Sequence, residues 1–253
     1  MDIDNTIELE GIVIRAVEYK ESSKILTIIT REKGIIGVMA QGVKRPKSGK
    51  QNLTSLYVKG QFSLKKLKDM YILLDGEVSD LNVKIREDIR NIYLAQTILE
   101  MVEKNLLDGD KNESIYMLVD KSIKYIDTKA KLRYISAFLI KFVSMIGYKP
   151  QITKCISCDK DKFTKVSLSP RHGGIICQEC GIFENYILTK DEHLYLIDLM
   201  YKKFEEIEIN DYRVNEKKLL KYLADYYEIN TGLPMPKSYE IFYKLDGGLT
   251  ANG

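Results

Sequence analysis

The chain has 253 residues, 45% hydrophobic and 30% charged, with a formal net charge of only +3. That suits a soluble globular protein of two or three units and excludes a general polycation. No apolar run approaches the ~18 residues of a membrane span. The opening "MDIDNTIELEG" carries acids where a secretory signal carries bases and then an apolar run, so a cytoplasmic protein is expected.

Residues 7–80 have the period of an all-β unit. "LEGIVIRAV" is alternately or continuously apolar, and "KILTIIT" is a second run rich in Ile and Thr. "REKG" (Arg31–Gly34) reads as a turn joining it to "IIGVMAQGV" in a hairpin. After a basic loop come "LYVKGQFSLKKL" and "DMYILLDGEV". Five short strands with glycine at the turns and no helical period predict a small closed barrel. Five is the strand count of an OB-fold, and few for a β-sandwich.

The period then changes. Ile85, Ile89, Ile92, Leu99 and Val102 fall near helical spacing, with a stop at Gly109. Residues 113–127 form a second predicted helix. Residues 132–148 form a third, apolar over much of its circumference and so central to a bundle, ending at Gly147 with Pro150 just beyond. Residues 151–187 are turn-rich and bear the cysteines. Helical signals return at 190–206, 215–230 and 237–245, and the tail "DGGLTANG" is expected to fray.

Charge is distributed unevenly. From Lys33 to Lys68 there are nine basic residues and no acid, where the chain's average composition would place about five acids; residues 81–253 hold 26 basic and 25 acidic residues. Lys44, Arg45, Lys47 and Lys50 crowd one loop between barrel strands, and Lys65 and Lys66 follow. Tyr57, Phe62 and Tyr71 lie on neighbouring strands, as barrel core or as platforms for bases. A positive groove with aromatic platforms holds single-stranded nucleic acid without reading its sequence. The bland alternative is a solvated lysine-rich loop.

All four cysteines fall in one arrangement, Cys155-x2-Cys158, 18 residues, then Cys177-x2-Cys180. Two tight turns that each present two sulfurs match a four-thiolate zinc site of ribbon type, closed and therefore structural. Two disulfides would need an oxidising compartment, and a redox pair would need a different fold context. His172, in the same gap, is surplus to a site that four cysteines fill. No phosphate loop, nucleophile elbow or zinc-protease motif is present, and the only histidines are His172 and His193. Nothing in the sequence asks for an enzyme. The run Glu205-Glu206-Ile207-Glu208 reads as a solvated helix end.

The chain resembles the RecO family of bacterial recombination-mediator proteins. Its opening has that family's order of features: Gly11 in the first strand, Tyr19 and Glu21, a strand ending at Thr30, the hairpin glycine Gly34, and Gly42 through Ser48. "AFLIKFVSMIGYKP" resembles the family's central helix, and the paired C-x2-C motifs match members that keep the zinc finger. The resemblance covers the first 80 residues and roughly 135–180. It implies an α+β, multidomain chain: a five-stranded OB-fold β-barrel at 1–80, then an α-helical domain at 81–253 with the four-cysteine zinc finger set in at about 151–187.

It also implies a non-enzymatic mediator that binds single- and double-stranded DNA and anneals complementary strands. With RecR, it would help load RecA on DNA coated by single-strand-binding protein. Lys44, Arg45 and Lys47 fall on the family's basic loop, Lys24 and Arg31 extend the same field, and Lys141 is a candidate for the groove that takes the tail of single-strand-binding protein. The protein would be cytoplasmic and nucleoid-associated. An RNA-binding barrel-and-ribbon protein and a nuclease with scattered carboxylates are the rivals.

Overall fold

The structure, a computed structural model, describes residues 6–45, 48–68, 70–129, 131–181 and 186–245. It divides into two compact units, Met1–Asp127 and Thr128–Gly253. Strands give way to helices near residue 80, and the first compact unit continues through two helices to Asp127.

The first unit opens with β1 (Thr6–Tyr19), β2 (Ser23–Thr30), β3 (Gly34–Ala40), β4 (Lys59–Leu67) and β5 (Met70–Asp80), closed into a barrel in the order β1-β2-β3-β5-β4. This is the OB-like arrangement that the strand count predicts. β1 is long enough to serve two neighbours. Its first half pairs β4 from Thr6 to Ile12, and its second half pairs β2 from Gly11 to Tyr19, with a bulge between Val13 and Arg15. A short parallel contact of Val38–Met39 with Tyr71–Ile72 completes the ring.

Side chains alternate because a pleated strand sends successive residues to opposite faces. In β4, Gly60, Phe62 and Leu64 face inward while Gln61 and Ser63 do not. The core holds Leu9, Val13, Leu26, Ile28, Val38, Phe62 and Leu73. Tyr57 and Phe62 are both buried, so the core reading wins for them over the platform reading. Tyr71 is only half-buried against that core.

Two helices follow, α1 (Ile89–Asn105) and α2 (Glu113–Lys129). The helical period is read from Ile85, but the α-helix starts only at Ile89. Val83–Glu87 is a 3-10 turn, and the extended Asp88 caps α1 by accepting the Arg90 amide at 2.8 Å. The α1–α2 connection is fastened to the barrel. The Gly109 amide donates to the Ile35 carbonyl at 3.0 Å, and Asp108 bridges Ile35 in a parallel pair. Gly34 lies beneath it in the left-handed region, at φ 65°.

The second unit is built around α3 (Leu132–Met145), buried on most of its surface as its apolar circumference predicts. It packs against α4 (Lys190–Tyr201) and α6 (Glu216–Thr231). The helical signal predicted at 190–206 is broken in two. α4 stops at Tyr201, and the Glu206 carboxylate turns back on the Lys203 amide (2.9 Å) to start α5 (Phe204–Ile209). Glu208 is correspondingly not a solvated residue: its carboxylate is partly covered and faces Lys129 at 3.6 Å and Lys131 at 3.3 Å. α7 (Lys237–Leu245) ends the described chain. Between α3 and α4 lies a four-stranded sheet of β6 (Gln151–Cys155), β7 (Val166–Ser169), β8 (Gly174–Cys177) and β9 (Ile187–Leu188), in the order β6-β8-β7-β9.

Candidate nucleic-acid interface and candidate metal centre

The loop after β3 is held by one apolar anchor. Val43 is buried in the barrel core, the Lys44 amide donates to the Ser22 carbonyl (3.0 Å), and the Ser48 hydroxyl donates to the Val43 carbonyl (2.7 Å). Lys44 and Arg45, which follow Val43, are thereby presented outward. Lys44 and Arg45 are exposed; Lys47 lies outside the described residues.

Several of the predicted cations are engaged within the unit. Lys44 meets Glu18 at 2.7 Å and holds that carboxyl below its usual range through their hydrogen bond. Arg31 is paired with Glu113 of α2 at 2.6 Å. Lys24 donates to the Thr54 carbonyl at 3.3 Å, and Lys50 donates to the Leu74 carbonyl. Lys59 lies 2.8 Å from Asp120 and 3.7 Å from Glu10. Counted to Asp127, the unit holds 20 Lys and Arg against 20 Asp and Glu. The acid-free stretch of sequence is therefore not an acid-free surface. Arg45, Lys65 and Lys66 have no ion-pair partner among the described residues, and neither do Lys33, Lys68 and Lys111.

Exposed pairs such as Lys44–Glu18 and Arg31–Glu113 contribute little net stability, so a phosphate can exchange for the carboxylate. What the pairs change is the local field. Lys33, Lys66 and Lys68 converge without an acid bonded to them among the described residues, and Lys111 of the α1–α2 connection joins that group. Sequence reading missed Lys111 because it lies far along the chain, in a segment rich in acids.

In the second unit the four cysteines come together. Cys155 ends β6 and Cys177 ends β8, both buried; Cys158 and Cys180 lie on the turns that follow, both exposed. All four sulfurs lie within 4.8 Å of one another, and Cys158 Sγ is 3.7 Å from Cys177 Sγ. Four thiolates at ~2.3 Å from a tetrahedral zinc ion stand about 3.8 Å apart, so the donor set fits zinc and leaves it no open position.

The turns are tight. The Asp159 amide donates to the Cys155 carbonyl (2.9 Å), and the Cys180 amide donates to the Cys177 carbonyl (3.1 Å). Burial pushes the Cys155 thiol up, but amides led by that of Cys177, at 3.3 Å, outweigh it and bring the thiol down to about 6. Hydrogen bonding to Cys158 pushes Cys180 up to about 12. Ionising one thiol makes the others resist, which is the frustration a divalent cation removes. His172 is outside this cluster, with Nδ1 2.7 Å from the Ser169 hydroxyl. His193 is half-buried on α4 and bonds the Ile152 carbonyl through Nε2 (2.7 Å).

Lys141 on α3 directs its ammonium at two carbonyls at the end of α4, Met200 and Lys202, each at 2.9 Å. Burial lowers it to about 8 from an ordinary 10.5. A partner's carboxylates would compete with those two carbonyls. Lys141→Met is expected to leave both without that donor and to lower stability by about 1–3 kcal/mol in denaturant unfolding. The folded chain releases this proton before the unfolded chain does. The wild type should therefore gain on the variant as pH rises from about 8 to 10.5. A pH-independent gap between the two would contradict this placement.

Residues 1–82 match the family model described as Recombination protein O N terminal, and residues 86–240 match Recombination protein O C terminal. A DNA repair protein RecO of Halalkalibacterium halodurans is 31% identical over 195 residues, 77% of this chain and 74% of its own length. Proteins of the same name from Alkaliphilus metalliredigens and Bacillus pumilus are 26% and 28% identical. They cover 94% and 96% of this chain and nearly all of their own. Among the described residues, no helix is long and apolar enough to cross a membrane.

Proposed function

The chain belongs to the RecO family of DNA repair proteins, and on that premise we propose that it is a cytoplasmic, nucleoid-associated recombination mediator that works by binding and not by catalysis. It holds single- and double-stranded DNA on the barrel unit and anneals complementary strands. With RecR, it assists RecA loading on DNA coated by single-strand-binding protein, whose acidic tail docks on the second unit, with Lys141 as the candidate contact. The carrying observation is the outward basic loop on the closed barrel, with Lys44 and Arg45 exposed. Lys24, Arg31, Lys47, Lys50, Lys65 and Lys66 complete the phosphate-facing set.

Annealing needs no chemistry. Two strands repel through their phosphates, and a protein that neutralises one backbone while leaving base edges free lowers that barrier. Phosphate contacts position a strand without reading it, so sequence preference is weak and salt dependence steep. The metal held by Cys155, Cys158, Cys177 and Cys180 is one structural Zn2+.

Fluorescence anisotropy of a labelled single strand across a salt series tests this reading. Lys44→Ala/Arg45→Ala/Lys47→Ala should weaken binding several-fold and make log K less steep in log salt by about 0.7 for each phosphate contact removed. Coincident curves would reduce the loop to a solvated one. Preference for matched RNA over DNA would move the assignment to RNA.

A further inference from the structure

Where the Arg31–Lys33 turn, the end of β4 and the α1–α2 connection meet, the first unit has an open cavity of about 600 Å³. Lys33, Lys66, Lys68 and Lys111 line it, with Tyr71 and Ile36 as apolar wall. None of the four lysines has an acidic partner among the described residues, in contrast to Arg31, Lys44 and Lys59 of the same unit. Glu32 and Asp108 also line the cavity, so its side chains carry a formal excess of two positive charges. Tyr71 stands between Lys66 on β4 and Val38 on β3, half-buried against the core.

We propose that this cavity is a nucleotide pocket, taking one nucleotide unit with its phosphate among the four lysines and its base against Tyr71. Its volume lies within the ~300–1,000 Å³ of small-ligand sites. Lysine ammoniums are point charges that suit a phosphate approached from several sides. A tyrosine ring packed on one side against a core is a fixed platform, and stacking on it tolerates any base. The source is either a unit of a nucleic-acid strand or a free mononucleotide. The proposal rests on reading the barrel unit as nucleic-acid binding, but places the strongest contact away from the Lys44–Lys50 loop.

Lys66 and Lys111 are both exposed, so Lys66→Ala/Lys111→Ala should leave the melting temperature unchanged. The full chain, this variant and Tyr71→Leu are compared by anisotropy with a labelled oligothymidine across a salt series, and by calorimetry with adenosine monophosphate. The double variant should lose about tenfold in strand affinity at low salt and about 1.4 in salt slope. Tyr71→Leu should lose about fivefold or more with the slope retained.

Mononucleotide binding that the double variant abolishes would name the free nucleotide as the source; loss confined to the strand would name a strand unit. If the wild type binds strand and both pocket variants match it, the pocket is overturned and the family reading stands. If the wild type binds neither strand nor mononucleotide, both fall. An oligoglutamate peptide held through Lys66 and Lys111, but indifferent to Tyr71, would replace the nucleotide with a carboxylate ligand and overturn the assignment.

Discussion

Replacing Cys155 with Ser is expected to strip the metal from the second unit and to lower the melting temperature by about 10 °C or more. Cys155 is 1% exposed and packs with Cys177, Ile176, Ile156 and Phe163 in the module's own small core. Serine supplies a shorter, harder ligand, and the three remaining thiolates no longer close a tetrahedron. Structural zinc is worth on the order of 10 kcal/mol to an isolated finger. Here α4 contacts β6 and β9, and α6 contacts the turn at Pro170–His172, so other packing supplies part of the order. A loss of several kcal/mol remains, at about 2–4 °C per kcal/mol for a chain of this size. Metal content by plasma emission should fall from about one ion per chain to well below half. An unchanged metal content together with unchanged melting would refute the closed four-sulfur site.

Gly34→Val should be nearly as costly, about 3–4 kcal/mol in denaturant unfolding. Gly34 sits at φ 65°, where an L-residue costs roughly 1–2 kcal/mol and a β-branched one more. A Cβ there would also overlap the Asp110 carbonyl oxygen, which is backbone and cannot swing aside. The α1–α2 connection would have to lift, breaking the Gly109–Ile35 hydrogen bond and moving Lys111 away from the cavity. Nucleotide or strand affinity should therefore fall along with stability. A variant as stable as wild type would show that the connection is not clamped against the turn.

Much of the fold was legible because it follows from local rules. Strand alternation and the run of five β segments mark the barrel, 3.6-residue periodicity marks the helices, and the cysteine spacing marks the four residues whose sulfurs the fold gathers within 4.8 Å. The basic surface was legible only in part, because charge in a folded unit is a three-dimensional sum. Glu113 and Asp120 lie 82 and 61 residues from the cations they meet, Arg31 and Lys59, and no local pattern joins them. Lys111 escaped notice for the same reason, placed beside Lys66 by a turn clamped over Gly34. Tyr57 also shows the limit of strand logic. It adopts φ 68° and directs its hydroxyl to the Ile92 carbonyl at 3.4 Å, a role set by the helix above it. Glu208 looked solvated beside two other acids, and only the packing of α5 shows it covered.

The pairing of barrel cations with α2 acids has a consequence in time. A ribosome adds roughly 5–20 residues each second, so Glu113 and Asp120 arrive several seconds after Arg31 and Lys59. Glu18 and Glu10 are already made when Lys44 and Lys59 emerge, but Arg31 and the second partner of Lys59 wait for α2. By Lys68 the nascent chain carries 13 Lys and Arg against 7 Asp and Glu, an excess of six, beside the polyanion that is making it. Once α2 is laid down the charge is balanced, and the finished unit is electrically milder than its own nascent form.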